Sequence, residues 1–153
     1  MLSKTHLVIA LFGILLLLNS VENQLVFVFV VLFVTLLPDI DSSTSKLGRK
    51  GISKVVTAFT KHRGIFHSLI FVAIVYLVLW FYWPVVSFGF LVGYSLHLFV
   101  DCFTKRGVRL FYPLKFKIRG FIKSGGKIES GIFILFAVLD VGLLVFNLYS
   151  RLL

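Results

Sequence analysis

His97 and Asp101 stand four residues apart in an apolar run, a spacing that puts an imidazole and a carboxylate one turn apart on one helical face. Nitrogen and oxygen donors presented together suit a hard or borderline divalent cation. Taken alone, the pair is equally well explained as a buried histidine bonded to its neighbouring aspartate. Gly93 precedes them on the same face and leaves room. Asp39 and Asp41 follow Pro38, where proline ends regular structure and the i, i+2 spacing projects both carboxylates similarly from an extended segment. Helix capping explains one of these aspartates, not both. His62 and His67 flank Arg63 and Gly64, an arrangement suited to a metal and an anion at a helix entrance. His6 and Glu129 complete the set; Glu129, behind the flexible pair Gly125-Gly126, would by itself be a carboxylate favoured by a helix dipole.

These residues must be carried by membrane helices. The chain has 153 residues, is 59% hydrophobic and has a mean hydropathy of +1.03, well above the roughly 45–50% apolar content of soluble domains. Five apolar stretches are present: Leu7 to Leu18, Leu25 to Leu37, Ile65 to Trp83, Val85 to Phe103 and Ile128 to Leu148. The last three approach the ~20 residues of a spanning helix, whereas the first two reach only about 17 with their flanks. The expected fold is an all-α polytopic membrane bundle of about five transmembrane helices, forming a single domain over residues 1–153. With five crossings, His6 begins the first span, Asp39 and Asp41 end the second, and His62 and His67 begin the third. His97 and Asp101 end the fourth, and Glu129 begins the fifth. All eight then share one face of the membrane.

Charge orients the bundle. Of 16 basic residues, every one but Arg151 falls on the amino-terminal side, which the positive-inside rule makes cytoplasmic and which leaves the carboxyl terminus external. This topology accounts for the formal charge of +10 without a nucleic-acid partner. Tyr76, Trp80, Tyr82, Trp83 and Tyr149 lie near helix ends on the opposite face, as an aromatic belt does. Between Lys46 and Lys61, Leu47, Ile52, Val55, Val56 and Phe59 fall on one helical face. That pattern predicts an interfacial amphipathic helix among anionic membrane lipids. Leu7 to Leu18 behind Lys4 has the outline of a secretory signal, but no small-x-small cleavage site follows it. The lone Cys102 has no partner for an internal disulfide.

Carboxylates gathered beside lipid repel one another and take up protons, whereas divalent cations keep them ionised. Metal coordination therefore accounts for the whole constellation. The strings LLPDID, KHRGIFHS and GYSLHLFVDCFTKRGV, with an early His6 and a late Glu129, closely resemble the YdjM-like family of bacterial and archaeal inner-membrane proteins, over nearly the whole chain. That resemblance implies a metal-dependent hydrolase of the inner membrane. Ser42 stands where the family often has another histidine, Phe66 where threonine is common and Lys105 where proline is common. More distantly, the His-x-x-x-Asp pair is similar to that of zinc phospholipase C and related nucleases, which use several metals on phosphodiesters.

The leading expectation is a hydrolase acting on a phosphoester, amphiphilic in character, at the cytoplasmic membrane surface. His6, Asp39, Asp41, His62, His67, His97 and Asp101 are the metal ligands of this reading. Zinc comes first from the donor mixture, with manganese or iron close behind. Arg63 steadies developing negative charge, and Glu129, a carboxylate outside the ligand set, takes the proton. A metal transporter without catalysis would place polar groups near the bilayer midplane, where Asp140 is the one acidic residue, about 16 Å beyond Glu129 along a helix. A scaffold recruiting a cytoplasmic protein through its basic loops would need none of the eight polar residues.

Overall fold

The computed structural model describes residues 1–39 and 63–152, with only the backbone described at Asp39, Arg63, Gly64 and Arg151. Among them the elements are helical: α1 (Ser3–Leu17), α2 (Gln24–Leu36), α3 (Leu69–Tyr82), α4 (Pro84–Cys102) and α5 (Lys127–Leu152). One-turn 3-10 helices at Leu18–Ser20 and Leu37–Asp39 extend α1 and α2, and a helical turn at Arg63–Phe66 precedes α3. Isolated bridges, parallel between Thr104 and Ile122 and antiparallel between Val108 and Ile118, brace the connection from α4 to α5. The segment 46–61, where the sequence predicts an interfacial helix, lies outside the described residues, as do Asp41 and His62.

Among the described residues, three helical stretches are long and apolar enough to cross a membrane: Ser3–Ser20, Pro84–Cys102 and Lys127–Ser150. The shorter apolar helices are Gln24–Leu36 and Leu69–Tyr82. This redistributes the sequence reading of span lengths. The first stretch gains a turn, because the 3-10 helix carries the helical backbone on to Ser20. The third loses its start, because Ser68 breaks the run from Ile65 and caps α3 instead, its Oγ accepting from the Phe71 N–H at 3.2 Å. Pro84 then starts α4, where the missing N–H costs nothing, so a single residue, Trp83, joins α3 to α4.

Packing is built on α4. It contacts α1, α2 and α3, and two glycines one turn apart admit α2 closely. A Cβ on Gly93 would lie 2.7 Å from the Val31 carbonyl oxygen, and one on Gly89 would lie 3.0 Å from Val30 Cγ1. This is the small-x-x-x-small device by which lipid-embedded helices approach backbone to backbone. Gly93 thus serves α2, not a ligand. Thr35 locks the same crossing, its hydroxyl reaching the Val31 carbonyl at 2.7 Å and the Gly93 carbonyl at 3.3 Å. Val34, Val72, Phe90, Tyr94 and Leu98 form one buried cluster, and Ala10, Ile14, Phe27 and Val31 the other.

The last helix, α5, rests mainly on α1 and runs parallel to it. Near its start Glu129 meets Thr5; near its end Asn147 donates to the Leu15 carbonyl at 3.0 Å and accepts from the Asn19 amide at 2.8 Å. Its outer face exposes Leu135, Val138, Val145 and Phe146, which suits a surface bathed in lipid.

Candidate metal centre

At one end of the bundle α4 delivers His97 and Asp101, and α1 delivers His6. The His97 side chain is fully enclosed, and its Nδ1 lies 2.8 Å from the carbonyl oxygen of Thr35 in the last turn of α2. A carbonyl can only accept, so Nδ1 donates, and in the neutral ring Nε2 is left with its lone pair. A backbone carbonyl fixing one imidazole nitrogen while the other faces inward is how metal-binding histidines are held. His6 stacks on this ring, with centroids 4.2 Å apart and planes 13° from parallel.

Asp101 lies beneath both rings. His6 Nε2 is 3.3 Å from Oδ1 and His97 Nε2 is 3.6 Å from Oδ2. These spacings bring charge and dipole together without hydrogen-bond geometry. Both ring nitrogens of His6 and Nε2 of His97 are buried with no hydrogen-bond partner among the described residues. The Met1 ammonium also reaches Asp101 Oδ1, at 2.9 Å.

Leaving three imidazole nitrogens so buried costs about 1–3 kcal/mol apiece. A cation bound to one nitrogen of each ring would remove that cost for two of them. Ligand atoms from His6, His97 and Asp101 all fall within 4.8 Å of one another. Tetrahedral donors about 2.1 Å from an ion lie about 3.4 Å apart, close to the two histidine–aspartate separations. The three residues therefore fit a divalent metal, and their N, N, O chemistry leaves its identity open among zinc, manganese and iron.

The other expected residues distribute around this group. His67 follows the turn Arg63–Phe66 and is half-buried, its ring 6.0 Å from that of His97 and edge-on to it. Tyr94 pins that turn to α4, its hydroxyl donating to the Phe66 carbonyl at 2.7 Å. The backbone places Asp39 at the end of the turn that follows Thr35 and α2.

Glu129 is buried but lies outside the three-residue group. Its Oε1 accepts from the Leu2 N–H at 2.6 Å and the Thr5 hydroxyl at 2.8 Å, and its Oε2 accepts from the Gly125 N–H at 2.5 Å. The positive φ of Gly125, 77°, lets the chain turn back to make the last of these. Glu129 thus clamps the start of α5 to the start of α1, beside His6. Asp140 is also buried, and neither carboxyl oxygen has a hydrogen-bond partner among the described residues.

Thr35, Thr5 and Tyr94 hold the centre in place and escape a search for ligand types, because each acts through a hydroxyl or a backbone carbonyl. Their available signal is polarity inside an apolar run: Thr35 stands four residues before Asp39, and Thr5 adjoins His6.

A bundle of apolar helices that buries two imidazoles and a carboxylate together at one end is a membrane protein with a candidate metal site. The chain belongs to the YdjM inner membrane protein family, which it matches over residues 1–152. It is also 38% identical over 88 residues to a Bacillus subtilis (strain 168) protein named uncharacterized protein YvsG, the alignment covering 55% of each chain. The chain thus spans about half the length of that relative. No solved structure matches it.

Proposed function

We propose that this protein is a membrane-bound metal-dependent hydrolase that cleaves a phosphoester, amphiphilic in character, at the cytoplasmic face of the inner membrane. The observation that carries this reading is the stacked pair His6 and His97, of which both His6 ring nitrogens and His97 Nε2 are buried without a hydrogen-bond partner among the described residues, beside the Asp101 carboxylate. In this reading the five apolar helices all cross within one domain, the two shorter ones thinning the bilayer locally. With five crossings the sequence puts every basic residue but Arg151 on the side of the site, which then faces the cytoplasm.

His6, His97 and Asp101 hold the metal, with His67, Asp39, Asp41 and His62 as further ligands in the sequence reading. A divalent cation there, zinc by first choice, supplies the positive charge that polarises a phosphoryl oxygen and activates water. The Thr35 carbonyl keeps His97 in the tautomer that binds. Arg63 opens the turn that carries His67 and recognises the phosphoryl oxygens with its planar fork. Glu129 is committed to three hydrogen bonds and acts as a clamp, so the proton that water releases passes to a group outside the metal's ligands.

The test is to purify the protein in mild detergent, measure bound metal, and assay phospholipids, prenyl phosphates and nucleotides with and without chelator. Chelator-sensitive release of phosphate or phosphoalcohol supports the reading. Bound metal without cleavage of any of these classes favours a non-catalytic metal transporter. Asp140 supports that second reading, because a buried acid within a span, without a hydrogen-bond partner among the described residues, is a mark of an ion path.

A further inference from the structure

A concave trough of about 620 Å³ lies between α1, α4 and the start of α3, within the roughly 300–1,000 Å³ range of small-molecule sites. Leu16 and Leu17 of α1 and Leu91 and Phe99 of α4 contribute hydrocarbon walls, and Ser95 is the one hydroxyl among the lining side chains. The Cys102 thiol, also in the wall, is turned to the Leu98 carbonyl at 3.2 Å. The surface is therefore made for hydrocarbon and offers almost nothing to water.

The near end of the trough shares turns of α4 with the metal centre. Leu98 and Cys102, which line it, follow His97 and Asp101 by one residue, about 100° round the same helix. The same turns of α4 thus present the cluster on one face and the trough on the next. On α1, Gly13 lies seven residues beyond His6, about 10.5 Å further along and on the same side. Leu16 and Leu17 mark the deep end. Leu69 and Leu110 close the near end, the Leu69 N–H bonding the Leu110 carbonyl at 2.9 Å. Leu110 belongs to the connection whose Lys105, Arg106 and Arg109 are exposed.

We propose that the trough seats the hydrocarbon chain of an amphiphile whose phosphate head lies between the His6–His97–Asp101 centre and this basic connection. The inference rests on the phosphoester reading and gives it a substrate class. A chain gains little by leaving bilayer hydrocarbon for a protein groove, so affinity must come from the head, and the trough supplies fit. Among the described residues, the exposed apolar face of α5 ends in no such cluster.

The experiment uses the full chain in phosphatidylcholine nanodiscs and hexadecyl phosphate bearing a photoreactive group at the chain terminus. Saturable labelling is expected near Leu16, Leu17 and Leu91. Unlabelled hexadecyl phosphate should suppress it, and hexadecanol at the same concentration should not. Ser95→Trp, which fills the trough, should cut the label about tenfold, an overpacking effect. Val138→Trp on the outer face of α5 should leave it unchanged. Label spread evenly over α3 and α5, or equal competition by hexadecanol, overturns the proposal. If Ser95→Trp does not fold, the competition pair on the unaltered chain decides alone. Labelling is read without turnover, so saturable labelling with no cleavage of the same class of ester would keep the trough and retire the hydrolase. Cleavage of water-soluble phosphoesters without saturable labelling would do the reverse.

Discussion

The ring of His6 lies 4.2 Å from that of His97 and nearly parallel to it, so the first helix of the chain and the fourth converge on one carboxylate, Asp101. Two imidazoles stacked out of water with three of their four ring nitrogens lacking a hydrogen-bond partner among the described residues are costly, and a shared cation is the simplest device that offsets part of the cost.

Metal retention should follow from that geometry. His6→Ala, His97→Ala and Asp101→Ala should each lower metal affinity by more than the roughly 10–100-fold that loss of an outer-shell partner costs. Elemental analysis of the purified variants, with circular dichroism as a folding control, reads this directly. Equal metal in all four proteins would refute the shared site.

The close crossing of α2 and α4 should not tolerate a side chain at its centre. Gly93→Ala drives a methyl against the Val31 backbone oxygen and should cost about 1–3 kcal/mol, lowering the thermal midpoint in detergent. It should also loosen metal binding, because the Thr35 carbonyl that orients His97 belongs to the displaced helix. Gly131→Ala, where a Cβ meets nothing within 4 Å, serves as the neutral comparison.

Much of the centre was legible beforehand, because the His97–Asp101 spacing and the placing of polar residues at span ends need only helix counting. The carbonyl of Thr35 was not, since every residue has one and only the fold says which is near. The break at Ser68 was readable as an N-cap, yet the apolar run on both sides outweighed it. The clamp on Glu129 joins residues more than a hundred positions apart, and no local pattern reports such a bond.

Glu129 and Asp101 should separate by phenotype. Glu129→Gln removes a carboxylate that accepts three hydrogen bonds, bonds of a class worth about 1.5–3 kcal/mol each in a charged acceptor. It should lower stability while metal content holds. Asp101→Asn should do the opposite. A Glu129→Gln protein of full stability with abolished turnover would restore Glu129 as the proton acceptor.

Orientation is open to a direct measurement. A reporter fused after Leu153 should read as external and one inserted near Gly126 as cytoplasmic, because with five crossings all the basic residues but Arg151 would lie on the amino-terminal side. Reversed signals would move the centre to the external face.

Arg63→Ala should keep its metal and lose turnover of a phosphoester that the unaltered protein cleaves, and Arg63→Lys should recover it only in part, a point charge lacking the bidentate fork. Full activity in Arg63→Ala would remove this residue from the mechanism.

The parallel docking of α5 on α1 has a bearing on biosynthesis. Helices enter the membrane as they are made, and α1 would wait there with Thr5 and the Leu15 carbonyl lacking their final partners until the last helix arrives beside it. Residue His6 sits within that unfinished seam, so the metal centre would mature only after translation of Asn147. A chain truncated before α5 should still make the α2–α4 crossing but leave α1 poorly anchored, a natural point for quality-control proteases to tell finished molecules from unfinished ones.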